Sequence, residues 1–157
     1  MKIELKNFRH AEFASEESHC YEATIWVDGE RSFLARNEGQ GGSDYYYPLT
    51  NSTEAHTAFN AVMEKVEAHC NSLPKEDDIP MTLEVLIDDL IDSTLSRKNL
   101  KRILKKKIVT LEHDEVWTYK YSGSERIVID KIKEKSPNVT ILNDLPFDDA
   151  LEIFSNQ

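Results

Sequence analysis

Asp28-Gly29 lies between two runs that alternate apolar and polar residues, and no other part of the chain constrains its fold as tightly. Residues 20–27 contain Tyr21-Glu22-Ala23-Thr24-Ile25-Trp26-Val27, and residues 31–37 contain Ser32-Phe33-Leu34-Ala35-Arg36-Asn37. A period of two puts successive side chains on opposite faces of a sheet. Asp-Gly accepts the positive φ that a tight hairpin turn requires. The pattern predicts that 20–27 pairs with 31–37 as an antiparallel hairpin. Residues 2–8 alternate in the same way, with Ile3 and Leu5 set against Lys2, Glu4 and Lys6, and predict a further strand. Residues 9–19, which hold Ser15-Glu16-Glu17-Ser18, read as a turn or short connection.

A change of period follows. Ala55, Phe59, Val62, Met63, Val66, Cys70 and Leu73 recur at helical spacing behind the helix-start cluster Asn51-Ser52-Thr53-Glu54. They predict a helix over 52–72 that is stopped by Pro74. Lys75-Glu76-Asp77-Asp78 reads as a polar linker. Pro80-Met81-Thr82-Leu83 opens a second helix, with Leu83, Leu86, Ile87, Leu90, Ile91 and Leu95 inward. A break is expected near Ser93–Ser96, then a third helix with Leu100, Ile103 and Leu104 inward. Ile108–Leu111 and Val116–Tyr121 form a second hairpin around His113-Asp114. A helix over Glu125–Lys135, a strand over Val139–Leu142 and a terminal helix over 147–155 complete the order.

Blocks of strands separated from blocks of helices predict an α+β fold. It has a mainly antiparallel sheet, an N-terminal hairpin, central helices, a second hairpin and a C-terminal helix. The 157 residues suit one domain, 1–157, or two subdomains, 1–74 and 80–157. With 39% hydrophobic residues and six Phe, six Tyr and two Trp, the chain is too apolar to stay disordered. No apolar run approaches the ~18 residues of a membrane helix. The N-terminus alternates rather than forming a signal peptide, so a cytoplasmic protein without membrane contact is expected. Cys20 and Cys70 are then thiols, with Cys70 buried on its helix.

Several clusters offer chemistry. Asn37-Glu38-Gly39-Gln40-Gly41-Gly42-Ser43-Asp44 holds three of the five glycines. Backbone amides there could cradle an anion, but a phosphate loop runs directly into a helix and carries a Lys. Residues 43–50 intervene here without one, which favours a turn. Tyr45-Tyr46-Tyr47 cannot send all three rings to one side of an extended segment, so at least one ring is exposed. Tyr is enriched at interface hot spots. His19-Cys20 and His69-Cys70 are adjacent pairs, whereas structural zinc sites space their ligands two to four residues apart. No metal, cofactor or catalytic motif is expected. Asp88, Asp89 and Asp92 read as the solvated face of a helix.

Charge is unevenly placed. Arg97, Lys98, Lys101, Arg102, Lys105, Lys106 and Lys107 fall in 97–107 without an acid. Removing those seven positives from the net charge of −10 leaves −17 on the rest. An acidic body does not bind nucleic acid over a broad face, but the basic helix 97–107 offers a local grip.

Ser15-Glu16-Glu17-Ser18-His19-Cys20-Tyr21-Glu22-Ala23, Val27-Asp28-Gly29 and Asn37-Glu38-Gly39-Gln40-Gly41-Gly42 together resemble small accessory proteins encoded by bacteriophages and prophages. The resemblance covers residues 1–50 and, more thinly, 81–111. That group has no established activity, so no catalytic residue carries over. The resemblance implies a phage-derived protein acting inside a bacterium.

The function expected is that of a non-enzymatic acidic interaction protein that binds and modulates a bacterial host protein. Inhibition of a defence or nucleic-acid-handling factor is one form of this. Tyr45, Tyr46 and Tyr47, with Glu38 and Asp44 at the rim, are the expected contacts. The alternative is a nucleic-acid-binding accessory protein using Arg97, Lys98, Lys101, Arg102 and Lys105. A small enzyme would need His19, Asp44 and backbone amides to converge in a pocket. A homo-oligomer could form through a sheet edge or through the amphipathic region 81–106.

Overall fold

A computed structural model describes residues 1–74 and 80–156, and the chain divides into two compact units, Met1–Ile91 and Asp92–Gln157. The polar linker expected at 75–78 lies outside the described residues. The fold is α+β, with antiparallel sheets in both units.

In the first unit β1 (Ile3–His10), β2 (Cys20–Val27), β3 (Glu30–Glu38) and β4 (Tyr45–Tyr47) form a meander in the order β1-β2-β3-β4. Asp28 and Gly29 have φ of 50° and 86°, and Val27 stands opposite Glu30. Two positive φ values make the mirror-image turn whose twist suits a hairpin. Tyr21, Ala23 and Ile25 pair with Asn37, Ala35 and Phe33, and all six are buried on one face. The 3-10 turn Glu12–Ala14 occupies the connection between β1 and β2.

Helix α1 (Thr53–Ser72) packs on that face, where Phe59 meets Phe33 edge to face at 6.0 Å. Ser52 Oγ accepts a 3.1 Å bond from the Ala55 amide, satisfying an amide that the first turn cannot. Leu73, just before Pro74, is extended with ψ of 153°, so the helix ends at Ser72. Cys70 is buried, and burial pushes its thiol up.

Helix α2 (Leu83–Leu104) is one uninterrupted 22-residue helix. The break expected near Ser93–Ser96 does not occur, and the second and third central helices are one. Ser93, Thr94 and Ser96 each lower helix propensity by only about 0.5 kcal/mol, and neither Gly nor Pro stands among them. The basic helix expected over 97–107 is also shorter. Arg97, Lys98, Lys101 and Arg102 lie on α2, Lys105 and Lys106 form a turn, and Lys107 begins a strand.

The second unit holds β5 (Lys107–Glu112), β6 (Glu115–Lys120) and β7 (Thr140–Ile141), in the order β6-β5-β7. His113 and Asp114, with φ of 52° and 63°, repeat the mirror-image turn. Helices α3 (Glu125–Lys135) and α4 (Phe147–Ser155) lie where the periodicity puts them. Val109 packs with Leu100, Leu142 and Ala150, while Ile108 packs with Ile129 and Ile141. The strand expected over Val139–Leu142 shortens to two residues, because Leu142 opens a 3-10 turn. Among the described residues no helix is long and apolar enough to cross a membrane.

Candidate functional site

The pleat sorts the three tyrosines. Leu34, Ala35 and Arg36 stand opposite Tyr47, Tyr46 and Tyr45. Tyr46 therefore shares the inner face with Ala35 and meets Phe33 edge to face at 5.9 Å. Tyr45 and Tyr47 share the outer face with Arg36 and stack on each other at 6.4 Å and 19°. They are 52% and 36% exposed. The Arg36 guanidinium lies 5.7 Å from the Tyr45 ring and 5.3 Å from the Tyr47 ring, within cation–π range of both. Its Nη2 is 3.9 Å from Glu38 Oε1. The stack holds two rings and a guanidinium fixed and open to solvent. Such a surface can dock planar, apolar or anionic groups.

Tyr46 and Asp44 belong instead to an internal network. Asp44 Oδ2 accepts from the Tyr21 hydroxyl at 2.6 Å and from the Tyr46 hydroxyl at 3.1 Å. Asp44 Oδ1 accepts from Asn37 Nδ2 at 3.0 Å, and the Asp44 amide donates to Glu84 Oε1 at 3.0 Å. Burial, then the Asp44 carboxylate, pushes the Tyr21 and Tyr46 phenols well above their ordinary value. Of the five expected contact residues, Tyr45, Tyr47 and Glu38 reach the exposed side. Tyr46 and Asp44 are half-buried and tie the segment down.

The glycine segment is a clasp. Asn37 Oδ1 accepts the Gly39 amide at 2.8 Å, and Ser18 Oγ accepts the Gly41 amide at 3.2 Å. Those two amides are spent on the chain's own acceptors rather than aimed at an anion. The Gly39 carbonyl accepts from the Glu16 and Glu17 amides at 2.9 and 3.0 Å. Ser15 Oγ donates to the Ala11 carbonyl at 3.0 Å and accepts from the Cys20 amide at 2.9 Å. His10 Nε2 lies 3.3 Å from His19 Nδ1 and 3.2 Å from Ser15 Oγ. Among the described residues no group of three or more His, Cys, Asp or Glu side chains could hold a metal ion. An open cleft of about 350 Å³ runs beside the clasp, between Arg9 and Ala11 on one side and Arg36 and Glu38 on the other. Cys20 and Glu22 line it as well.

The basic residues of 97–107 lie in the second unit. Arg97 Nη2 is 3.0 Å from Asp148 Oδ1, and the Arg97 guanidinium lies 5.3 Å from the Phe147 ring. Arg102 donates to Asn99 Oδ1 at 3.0 Å. Lys98, Lys101 and Lys105 are exposed.

Arg36 and Phe13 were not among the expected contacts. Arg36 is legible once the register of β3 against Tyr45 is drawn. Phe13 is the lone aromatic residue in the stretch 12–18, and it is 93% exposed. The chain matches no family model, no curated protein and no solved structure.

Proposed function

We propose that the chain is a non-enzymatic protein-binding module that engages its partner through Arg36, Tyr45 and Tyr47. The observation that carries this reading is the exposed Tyr45–Tyr47 stack with Arg36 over both rings. Tyr and Arg dominate interface hot spots because they join large contact area to directed hydrogen bonding. A side chain held by its neighbours before binding also loses less freedom when it binds. The likeness of residues 1–50 to phage-encoded accessory proteins directs the search for the partner to bacterial proteins. Modulation or inhibition of such a protein is the function this reading implies.

The test starts from immobilised protein exposed to bacterial lysate, with and without nuclease. The retained protein is then purified and titrated. The double variant Tyr45→Ala/Tyr47→Ala keeps its thermal midpoint and weakens binding by about 2 kcal/mol or more. Undiminished binding by that variant overturns the reading. Loss of the partner on nuclease treatment moves the function to Lys98, Lys101 and Lys105 and to nucleic acid.

A further inference from the structure

The connection between β1 and β2 presents Phe13 at 93% exposure, the most exposed of the large apolar side chains among the described residues. The backbone beneath it is fastened at many points. Ala11 donates to the Cys20 carbonyl at 2.9 Å, Ala14 to Ala11 at 3.0 Å and Ser15 to Glu12 at 3.2 Å. Glu16 and Glu17 donate to Gly39, and Ser15 Oγ closes the base between Ala11 and Cys20. Gly39 lies so close that a Cβ on it would stand 2.1 Å from the Ala14 carbonyl oxygen. Phe13 is therefore a ring on a braced backbone, with the cost of ordering that backbone met before any partner arrives. The charged residues of its own segment have one sign. Glu12, Glu16 and Glu17 are exposed, and residues 11–19 contain no Lys or Arg.

We propose that Phe13, with Glu12, Glu16 and Glu17 around it, is a second docking surface for a protein that presents an apolar socket rimmed by lysines or arginines. The ring supplies the buried anchor, and the three carboxylates supply orientation and a salt-dependent approach. The surface shares no residue with the tyrosine stack, so either can fail without the other. It adjoins that stack, since Ala11 at the root of the connection and Arg36 line the same cleft.

The experiment replaces Phe13 with the photoreactive p-benzoylphenylalanine and irradiates the full chain in bacterial lysate, with the same replacement at exposed Glu30 as control. The protein joined at position 13 is purified and titrated with the unsubstituted chain, with Phe13→Ala and with Glu12→Gln/Glu16→Gln/Glu17→Gln, at low and high salt. Phe13→Ala is expected to weaken binding about tenfold or more while leaving the thermal midpoint unchanged. The triple Gln variant is expected to bind more weakly and to lose most of the salt dependence. The proposal is overturned if position 13 gives no adduct beyond the Glu30 control, or if the adduct is the chain joined to itself. It is also overturned if Phe13→Ala binds as the unsubstituted chain does or melts earlier, or if salt has no effect. Tyr45→Ala/Tyr47→Ala, titrated in parallel, separates failure here from failure of the tyrosine stack.

Discussion

The Tyr21 phenol donates a 2.6 Å hydrogen bond to Asp44 Oδ2, across 23 positions of sequence and from the centre of the sheet to its edge. Tyr46 reaches the same oxygen, and Asn37 holds the other. The carboxylate thus locks the segment after the glycines, and with it the register that turns Tyr45 and Tyr47 outward. This network has a pH signature. Burial and the Asp44 charge raise both phenols above the ordinary 10.0. Below about pH 10 both are protonated whether folded or unfolded, and they add no pH dependence. Above it the unfolded chain releases its protons first, so stability falls as pH rises. Thermal midpoints followed from about pH 8 to about pH 11 should be flat and then drop. Tyr21→Phe should cost about 1.5 kcal/mol at neutral pH and reduce the alkaline drop. An alkaline drop unchanged in both Tyr21→Phe and Tyr46→Phe would assign it to other groups.

Gly39 is held to glycine twice over. Its φ is +85°, and a Cβ there would meet the Ala14 carbonyl oxygen at 2.1 Å and Cys20 Cβ at 2.9 Å. Gly29 has φ of +86° with nothing nearby. Gly29→Ala should therefore cost only the conformational strain, about 1–2 kcal/mol. Gly39→Ala should cost more, about 2–4 kcal/mol, because the bonds from Glu16 and Glu17 must also part. Hydrogen exchange at the Glu16 and Glu17 amides should quicken in Gly39→Ala and stay unchanged in Gly29→Ala. Equal losses in the two variants would mean that the close approach carries no energy.

The elements themselves were legible where a strong local signal coincided with tertiary demand. Alternation and Asp28-Gly29 fix the first hairpin, and Ser52 and Pro74 bracket α1. Ser93–Ser96 misleads because serine and threonine weaken a helix without stopping it, and buried residues flank the stretch, Ile91 on one side and Leu100 on the other. The site was half legible. Three consecutive tyrosines announce that some ring is exposed, but which rings depends on the β3–β4 register, and that is set by long-range pairing. Asp44 reads as a surface acid because nothing local reveals that Tyr21 and Asn37 will surround it. Phe13 carries no periodic signal at all, and only its exposure in the folded chain singles it out.

Asn143 in the second unit is another residue whose importance only the fold reveals. Its Oδ1 accepts the Val109 amide at 2.8 Å, and its Nδ2 donates to the Lys107 carbonyl and to Glu125 Oε1, both at 3.0 Å. One side chain thereby satisfies the backbone at the start of β5 and ties it to the first turn of α3. Asn143→Ala strands the amide of fully buried Val109 and should cost about 2 kcal/mol. Asn143→Asp keeps an acceptor for Val109 but removes both donors and sets a second carboxylate beside Glu125. It should therefore be the worse variant at neutral pH and should recover in mild acid, as a carboxyl there takes up a proton. Trp117, exposed on β6, reports on this unit once Trp26 is replaced by Phe. Denaturant titrations read from its fluorescence should rank the unsubstituted chain above Asn143→Ala and that above Asn143→Asp. Both midpoints should shift without a change of slope. Coincident midpoints for all three would show that the β5 backbone finds other partners and that Asn143 ties nothing.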